Sequence, residues 1–246
     1  MIRVMTYNVH GCVGTDGKLD EARIASVISA AAPDIVALQE LDVERQRSRG
    51  IHQARHLAEH LKMDFHFHPA MTQLSEQYGD AVLSRLPMSL VQKGRLPTSR
   101  SRLAFEPRGA LLVRVDAQDK PLYLLNTHLG LSWSERLSQV NALLSPAWMD
   151  DSLREQPFVL CGDFNALPGS RVYRTVCRRL KDVQRWTLQG WPRATFPSKW
   201  PLTRLDYIFL NSRLRVTKVE VPNNPQTQVA SDHLPVIADL EFHPQS

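Results

Sequence analysis

Short apolar runs alternate with amphipathic segments along the chain, and this pattern predicts a strand-rich α/β fold. Apolar runs bounded by polar or turn-forming residues are typical of buried strands. Many strands with few crossover helices favour mixed or antiparallel pairing, in two sheets packed face to face with helices outside. The predicted strands are Ile2–Tyr7, Ile35–Gln39, Ala81–Ser84, Ala110–Asp116, Leu122–Thr127, Phe158–Gly162, Asp206–Leu210, Val216–Val221 and Pro235–Phe242.

Three segments with apolar residues on one helical face are predicted to form helices. The first covers Asp20–Ala32, where the apolar positions recur at helical spacing. In the second, Ser132 and Glu135 form a capping-box pattern at the first turn. The third is expected to begin after Ser170, whose hydroxyl would cap its first turn.

A histidine stripe at helical spacing is formed by His52, His56 and His60. Zinc sites use clustered histidines, but a solvated helix face is the favoured interpretation because an apolar face lies opposite. The apolar face consists of Ile51, Ala54, Leu57, Ala58 and Leu61.

The whole chain, residues 1–246, is expected to form a single domain. Hydrophobic residues make up 43% and charged residues 22% of the sequence, which is ordinary for a globular chain and excludes disordered and fibrous classes. We find no internal repeat, low-complexity tract or composition break that would mark a second core. A membrane span needs about 20 consecutive apolar residues, and we expect no transmembrane segment.

The start of the chain and its cysteines favour a cytoplasmic protein. The first predicted strand, Ile2–Tyr7, leaves no room for the basic and apolar regions of a secretory signal. The three cysteines, Cys12, Cys161 and Cys177, have neither a disulfide-framework spacing nor a metal-binding spacing.

The chain has a net charge of +5, contributed mostly by arginine. The planar guanidinium matches phosphate with two hydrogen bonds, so the excess fits an anionic substrate. A genome rich in arginine codons would give the same excess. Arg45, Arg47 and Arg49 are expected to form either a phosphate-steering rim or a solvated loop.

Aromatic and cationic residues are interleaved between residues 186 and 200. Such a segment is typical of a substrate lip that stacks on bases or settles into a lipid interface, and core packing is the alternative. The sequence leaves base and lipid open. The aromatic residues are Trp186, Trp191, Phe196 and Trp200, and the cations are Arg185, Arg193 and Lys199.

Polar residues suited to chemistry stand at the ends of the predicted strands. Singly, an Asp or Asn there is typical of a turn, and a lone histidine is typical of a hydrogen-bonded structural residue. Together they offer carboxylate, amide and imidazole groups, which favour a hard cation such as Mg²⁺ or Mn²⁺ over zinc. They are Asn8, Glu40, His128, Asp163, Asn165, Asp206, Asp232 and His233.

Six short blocks, in their residues and in their order, resemble the endonuclease/exonuclease/phosphatase superfamily, which includes DNase I. The resemblance extends over residues 6–235 and implies a four-layer α/β sandwich and Mg²⁺-dependent cleavage of phosphate esters. The blocks are Thr6-Tyr7-Asn8, Leu38-Gln39-Glu40, Asn126-Thr127-His128-Leu129, Gly162-Asp163-Phe164-Asn165, Arg204-Leu205-Asp206-Tyr207-Ile208 and Ser231-Asp232-His233-Leu234-Pro235.

The resemblance implies a metal-binding group and a water-activating group. Glu40 corresponds to the principal metal ligand, supported by Asn8 and Asp232. Asp163 corresponds to the residue that orients or deprotonates the attacking water. Asn165 would donate its amide to a phosphate oxygen.

The resemblance also implies groups that stabilise charge. His233 would contact the charge that develops on phosphorus, with its imidazole oriented by Asp206. His128 would stabilise the phosphate or the leaving group. Arg108 stands where the family often places a cation before a strand, and it is expected either to face the phosphate or to form a surface salt bridge.

Two residues depart from the family pattern. Asp80 follows Gly79 where the family usually has Asn, so it adds negative charge near the site or lies in a turn. His10 stands two residues after Asn8, where some nucleases have a second metal-ligating carboxylate. The number of metal ions is therefore left open.

The resemblance implies an enzyme, a Mg²⁺-dependent hydrolase in which an activated water attacks phosphorus in line. The expected substrates are phosphodiesters, either nucleic acid or phospholipid-type. The alternative is a non-catalytic module that binds phosphate ligands on the same fold. A serine or cysteine hydrolase is disfavoured because the sequence has no Gly-x-Ser-x-Gly elbow.

Overall fold

Two six-stranded sheets form the centre of the computed structural model, which describes residues 1–98, 106–186 and 191–243. The strands are β1 (Ile2–Asn8), β2 (Ile35–Val43), β3 (Asp64–Gln73), β4 (Glu76–Ser84), β5 (Met88–Arg95), β6 (Gly109–Ala117), β7 (Lys120–His128), β8 (Phe158–Asp163), β9 (Lys181–Asp182), β10 (Asp206–Leu210), β11 (Leu214–Glu220) and β12 (Val236–Phe242). The first sheet has the order β11-β12-β1-β2-β4-β3, and the second has the order β5-β6-β7-β8-β10-β9.

Both sheets are mixed, as the sequence predicts. The pairs β1–β2 and β7–β8 are parallel, and the remaining pairs are antiparallel. The helices are α1 (Glu21–Ala31), α2 (Gln53–Leu61), α3 (Trp133–Leu143), α4 (Asp151–Arg154), α5 (Arg171–Cys177), α6 (Val183–Trp186) and α7 (Pro225–Ala230). None of these helices within the described ranges is long and apolar enough to cross a bilayer.

One apolar layer lies between the two sheets. Val4 and Val82 enter it from the first sheet, and Leu124 and Ile208 enter it from the second. Since side chains alternate along a strand, neighbours such as Met5 point outward and pack against α1 and α2. Helices α3 and α5 cover the outer face of the second sheet in the same way. The predicted four-layer α/β sandwich is confirmed.

The nine predicted strands each overlap an observed one, whereas β3, β5 and β9 are missing from the prediction. Strands β3 and β5 lie at sheet edges and are largely half-exposed or exposed, so they lack the apolar runs of the inner strands. Strand β3 also contains Pro69, beside which its pairing with β4 shifts register.

The predicted capping box at Ser132 is wrong, although the helix that follows it is present. The Ser132 hydroxyl lies 3.1 Å from the Ser134 hydroxyl and makes no hydrogen bond to the helix backbone. Glu135 is buried, and its carboxylate lies beside Gly130. Ser170 does cap α5, because its hydroxyl accepts a hydrogen bond from the Tyr173 amide at 3.2 Å.

The histidine stripe is only partly solvated. His56 and His60 are exposed on α2, as expected. His52 instead stands just before the helix, where its Nδ1 accepts a hydrogen bond from the backbone of α2. Its ring packs edge-on against Phe65 and Phe67, with centroids 5.5 and 5.2 Å apart. This aromatic contact explains why the helical pattern alone misplaced His52.

Strand pairing brings the polar strand ends to one edge of the sandwich. His128 ends β7 opposite Asp163 of the parallel strand β8, and Asp163 lies opposite Asp206 of the antiparallel strand β10. In the other sheet, Asn8 at the end of β1 lies opposite Gln39 of β2. The ends of four strands and the beginnings of β10 and β12 therefore meet at the same edge.

Candidate active site

A cleft of about 400 Å³ opens at this edge of the sandwich. Glu40, Arg108, His128, Asn165 and Asp232 line it, and all five are residues singled out from the sequence. The remaining predicted residues border the cleft or lie beneath it. We call the buried residues Asp163, Asp206 and His233 the floor of the cleft.

A buried histidine–aspartate pair lies beneath the cleft. His233 precedes β12, and its Nδ1 lies 2.9 Å from the Oδ2 atom of Asp206. Burial opposes the charged imidazolium, but the carboxylates of Asp206, Asp163 and Asp232 outweigh burial and raise the pKa of His233 to about 10. His233 is therefore an imidazolium at neutral pH, and its Nδ1 donates to Asp206.

Asp163 lies between this pair and the cleft. Its Oδ2 is 3.7 Å from His233 Nε2 and accepts a hydrogen bond from Asn8 Nδ2 at 3.0 Å. Its Oδ1 accepts from the backbone amide of Asn165 at 2.8 Å. Burial, reinforced by the charge of Asp206, raises the pKa of Asp163 above its ordinary range. A carboxylate with a raised pKa is suited to take a proton from water.

Asn8 bridges two carboxylates from different sheets. Its Nδ2 lies 2.8 Å from Glu40 Oε1 as well as 3.0 Å from Asp163. Its amide oxygen, which a metal-ligand role would require, accepts a hydrogen bond from the His10 backbone amide at 3.1 Å. In this arrangement Asn8 holds the two carboxylates in place through its nitrogen.

Glu40 reaches the cleft through an irregularity of β2. The pairing of β2 with β4 shifts register between Leu38 and Leu41, and Glu40 has a left-handed φ of 63°. The Glu40 carboxylate is half-buried, unlike the deeper Asp163. A strained backbone at a polar residue that faces a cleft is typical of a functional position.

His128 is held in one neutral form by Arg108. The guanidinium is always a donor, and its Nη1 lies 3.1 Å from Nδ1 of His128, so that nitrogen accepts. Burial and the nearby charges of Arg108 and His233 lower the pKa of His128 well below its ordinary value. The Asn165 side-chain nitrogen also lies near the ring, 3.1 Å from Nε2, but it is a neutral donor and the guanidinium is a charged one. We therefore assign the proton to Nε2, which lies 3.6 Å from Asp163 and 3.9 Å from Glu40.

Arg108 is buried, but its ion-pair partner Glu106 is exposed, so it combines the two arrangements that the sequence allowed. It lines the cleft and forms an ion pair with Glu106 at 3.2 Å. Asp80 is buried within β4, not in a turn. Burial raises the pKa of Asp80 to about 7, against the opposing charge of Arg108. Asp80 therefore places a carboxyl group beneath this wall of the cleft.

Sequence reasoning missed the residues that hold the arginine cluster. Arg47 makes two hydrogen bonds, at 2.7 and 2.9 Å, to the buried carboxylate of Asp42. The guanidinium groups of Arg45 and Arg47 each lie 5.7 Å from the centre of the Tyr78 ring. Asp42 stands two residues after Glu40, so the alternation of β2 was the signal that could have found it.

The aromatic segment between residues 186 and 200 is described except for residues 187–190, and its exposure differs from one described residue to another. Trp186, Trp191 and Trp200 are exposed, which excludes core packing for these three side chains. Phe196 is different, because its ring lies 4.8 Å from the His233 ring. Phe196 therefore covers one side of the imidazolium.

All nine residues proposed from the sequence lie at this one edge. Three of them, Asp163, Asp206 and His233, offer ligand atoms within 4.8 Å of one another. Asn165 contacts the neighbouring strand end, because its Nδ2 donates to the Leu129 carbonyl at 3.0 Å and lies 3.1 Å from Nε2 of His128. The network thus joins the ends of β1, β7 and β8 with the start of β10.

Known proteins resemble this chain along its whole length. It is 25% identical to the uncharacterized protein YbhP of Escherichia coli K12, over 98% of this chain and 96% of YbhP. The crystal structure of an endonuclease/exonuclease/phosphatase from Beutenbergia cavernae is 25% identical, with a TM-score of 0.74 over 98% of this chain and 71% of that one.

A second structure supports the fold alone. The mannosyl-6-phosphatase Bt3783 of Bacteroides thetaiotaomicron is 19% identical, with a TM-score of 0.78 over 98% of this chain and 100% of that one. Residues 5–233 also match the model of the endonuclease/exonuclease/phosphatase family. The chain therefore belongs to the endonuclease/exonuclease/phosphatase family, whose members are generally hydrolytic enzymes that act on phosphate esters.

Proposed function

We propose that this protein is a hydrolase that uses a divalent cation, Mg²⁺ or Mn²⁺, to cleave phosphodiesters of nucleic acid or phospholipid type. The proposal depends above all on one observation. The His233 imidazolium, held by Asp206, lies 3.7 Å from the buried carboxylate of Asp163 directly beneath an open cleft. An acid and a base held this close together can serve one reaction. The base takes a proton from the attacking water, and the acid stabilises the negative charge that develops on the phosphate.

The donor groups at the cleft fit a hard cation. Glu40 and Asp232 both present carboxylates to the cleft, and oxygen ligands are the ones that Mg²⁺ and Mn²⁺ prefer. These two residues would hold the ion, and Asn8 would position Glu40. When bound, the ion would neutralise phosphate charge and polarise the ester.

The Asp163–Asp206–His233 group is a poorer metal site despite the short distances between its atoms. His233 Nδ1 already donates to Asp206, and the imidazolium is positively charged at neutral pH. A protonated histidine has no free lone pair for a cation. We assign this group to proton transfer and charge stabilisation.

Each side chain of the floor then has a distinct task. Asp163 accepts the proton of the attacking water, and Asn8 and the Asn165 amide hold its two oxygens. His233 donates from Nε2 to the charge that develops on the phosphate. His128 offers its Nε2 proton to the phosphate or the leaving group, and Asn165 offers its side-chain amide to a phosphate oxygen.

A panel of phosphate esters tests this proposal. It should contain bis(p-nitrophenyl) phosphate, DNA, RNA, phospholipids and inositol phosphates, each assayed with Mg²⁺ and with Mn²⁺. His233→Gln should lower turnover about 10²- to 10⁴-fold, the range typical of a lost proton donor. His56→Gln is the matched control, since His56 is an exposed histidine on α2.

The alternative, a non-catalytic module that binds phosphate ligands, gives a different result. It would bind phosphate esters without turnover at any concentration of either ion. Full activity of His233→Gln on a substrate that the wild type hydrolyses would contradict the proposed chemistry.

A further inference from the structure

Three segments lie next to residues of the cleft lining, and we call residues 129–133, 166–171 and 196–203 the apolar arc. Each is a loop, and the first two end on the first residue of α3 and of α5. The first loop touches the second, since Asn165 Nδ2 donates to the Leu129 carbonyl at 3.0 Å. The Tyr207 hydroxyl donates to the Ala166 carbonyl at 2.7 Å, which ties the second loop to the start of β10. The third loop joins the site through the Phe196 ring against His233.

Large apolar side chains of the arc are exposed to solvent. They belong to all three loops, and they are between 52% and 80% exposed. Leucine and tryptophan side chains that are more than half exposed contribute little to the core, and a group of them at one site is typical of an interaction surface. The five side chains are Leu131, Trp133, Leu167, Trp200 and Leu202.

The charge of the arc has one sign. Its three loops contain Arg171 and Lys199, both exposed, and no Asp or Glu. The opposite wall is different, because the cations there face carboxylates. Arg47 pairs with Asp42, and Arg108 pairs with Glu106. The arc therefore combines exposed apolar tips with free positive charge on one side of the cleft.

This combination of side chains fits a lipid surface better than it fits a nucleic acid. A base needs a flat π-face for stacking, which Trp133 and Trp200 could supply but which Leu131, Leu167 and Leu202 cannot. Leucine gains by entering an acyl layer, and tryptophan is enriched where headgroups meet acyl chains. Lysine and arginine nearby are attracted to anionic headgroups.

We propose that the apolar arc seats the protein on an anionic phospholipid bilayer and so presents a lipid phosphodiester to the cleft. The assignment of a substrate rests on the proposed function, whereas the binding surface does not. Leu131 belongs to both the arc and the cleft lining, so a headgroup beneath the seated arc lies at the mouth of the cleft. The five apolar tips enter the acyl boundary, and Arg171 and Lys199 remain at the headgroup level.

Vesicle sedimentation in the presence of a metal chelator tests the surface without turnover. The wild type should bind vesicles of phosphatidylcholine with phosphatidylglycerol more tightly than vesicles of phosphatidylcholine alone. The triple variant Leu167→Ser, Trp200→Ser, Leu202→Ser should bind at least about tenfold more weakly, because it removes three apolar side chains. Val91→Ser is the matched control, an exposed apolar residue on the edge strand β5.

A charge variant separates the two contributions. Arg171→Ser with Lys199→Ser should weaken binding only to the vesicles that contain phosphatidylglycerol. Equal binding of the wild type and the triple variant would overturn the proposal, as would no vesicle binding by the wild type. Binding of a single-stranded oligonucleotide that the triple variant loses, without vesicle binding, would assign the arc to nucleic acid instead.

Turnover of water-soluble bis(p-nitrophenyl) phosphate keeps this proposal separate from the proposed function. The triple variant should hydrolyse it at the wild-type rate, since its three side chains are exposed and are not part of the cleft lining. A wild type that binds anionic vesicles but never hydrolyses any ester would refute the proposed function and leave the membrane surface standing.

Discussion

The floor of the cleft and the apolar arc beside it are built on opposite principles. On the floor, Asp163, Asp206 and His233 are buried and fixed by strand pairing and by hydrogen bonds of 2.8 to 3.0 Å. On the arc, Leu131 and Trp200 stand on loops with their side chains in solvent. The floor holds atoms at fixed distances, as bond cleavage requires, whereas the arc offers area and charge without fixed geometry.

This difference separates chemistry from recognition. A change on the floor alters the reacting groups and should affect every substrate equally. A change on the arc leaves those groups in place and should affect only substrates that the arc helps to bind.

The largest effect is expected for Glu40→Gln. The variant keeps the shape of the side chain but removes the charge that would hold the cation, and metal assistance is worth several kcal/mol. We expect kcat/KM to fall about 10³-fold and the concentration of Mg²⁺ required to rise. A magnesium titration of turnover measures both, with Glu59→Gln on α2 as the control.

If Glu40→Gln required the same concentration of Mg²⁺ as the wild type, Glu40 would not be a ligand of the cation. In that case the half-buried carboxylate would be part of the hydrogen-bond network of Asn8 only.

A smaller effect with a distinct pH dependence is expected for Asp206→Asn. Burial lowers the pKa of His233, and the carboxylates that raise it to about 10 are led by Asp206. Without that carboxylate the pKa of His233 falls, so the variant loses the imidazolium proton at a lower pH than the wild type does. Turnover should drop roughly 10- to 100-fold at neutral pH and recover partly in acid.

The measurement is a pH–rate profile of both proteins. In the wild type, deprotonation of His233 should not lower turnover until the pH approaches about 10, because the raised pKa keeps the imidazolium charged below that value. Identical profiles for wild type and variant would contradict the assignment of Asp206 as the residue that orients and charges His233.

Arg108→Met should have a more modest effect on turnover. It removes the donor that fixes the His128 proton on Nε2, and it leaves Asp80 and Glu106 without their cation. We expect roughly a tenfold loss of turnover. Arg108→Lys restores the charge but not the planar fork, so it should recover only part of the activity.

The ¹⁵N chemical shifts of the His128 ring provide the structural readout. They should report a proton on Nε2 in the wild type and a mixture of tautomers in Arg108→Met. An unchanged tautomer in the variant would show that Arg108 does not position His128.

The smallest effect on soluble substrates is expected on the arc. Trp200→Ser removes an exposed side chain, and exposed substitutions generally change stability by less than about 0.5 kcal/mol. Turnover of bis(p-nitrophenyl) phosphate and the melting temperature should both match the wild type. A large loss of turnover on this soluble substrate would show that Trp200 takes part in catalysis. It would contradict the separation of chemistry on the floor from recognition on the arc.

Much of the fold could be predicted from the sequence because the inner strands are continuous apolar runs. Phe158–Cys161 is buried on both faces, and Leu122–Leu125 is buried except for the half-buried Tyr123, so both runs could be placed without knowing their neighbours. The edge strands β3 and β5 could not, since half-exposed positions carry little apolar signal. The capping box at Ser132 failed because the Ser132 hydroxyl contacts the Ser134 hydroxyl and makes no hydrogen bond to the helix backbone.

The residues that form the site could be predicted from the sequence, but the hydrogen bonds between them could not. The strand-end positions of Glu40, Asp163 and His233 follow from local sequence. The bridging nitrogen of Asn8 depends on residues of two sheets meeting, and the tautomer of His128 depends on Arg108, twenty residues away in the chain. Such pairings arise from register between strands and leave no trace in the local pattern.

The most direct test of the account compares wild type with Asp163→Asn on bis(p-nitrophenyl) phosphate across a titration of Mg²⁺. The account predicts metal-dependent hydrolysis by the wild type and a loss of about 10²-fold or more at every Mg²⁺ concentration in the variant, which cannot accept the proton of the attacking water. Equal rates for the two proteins would contradict it.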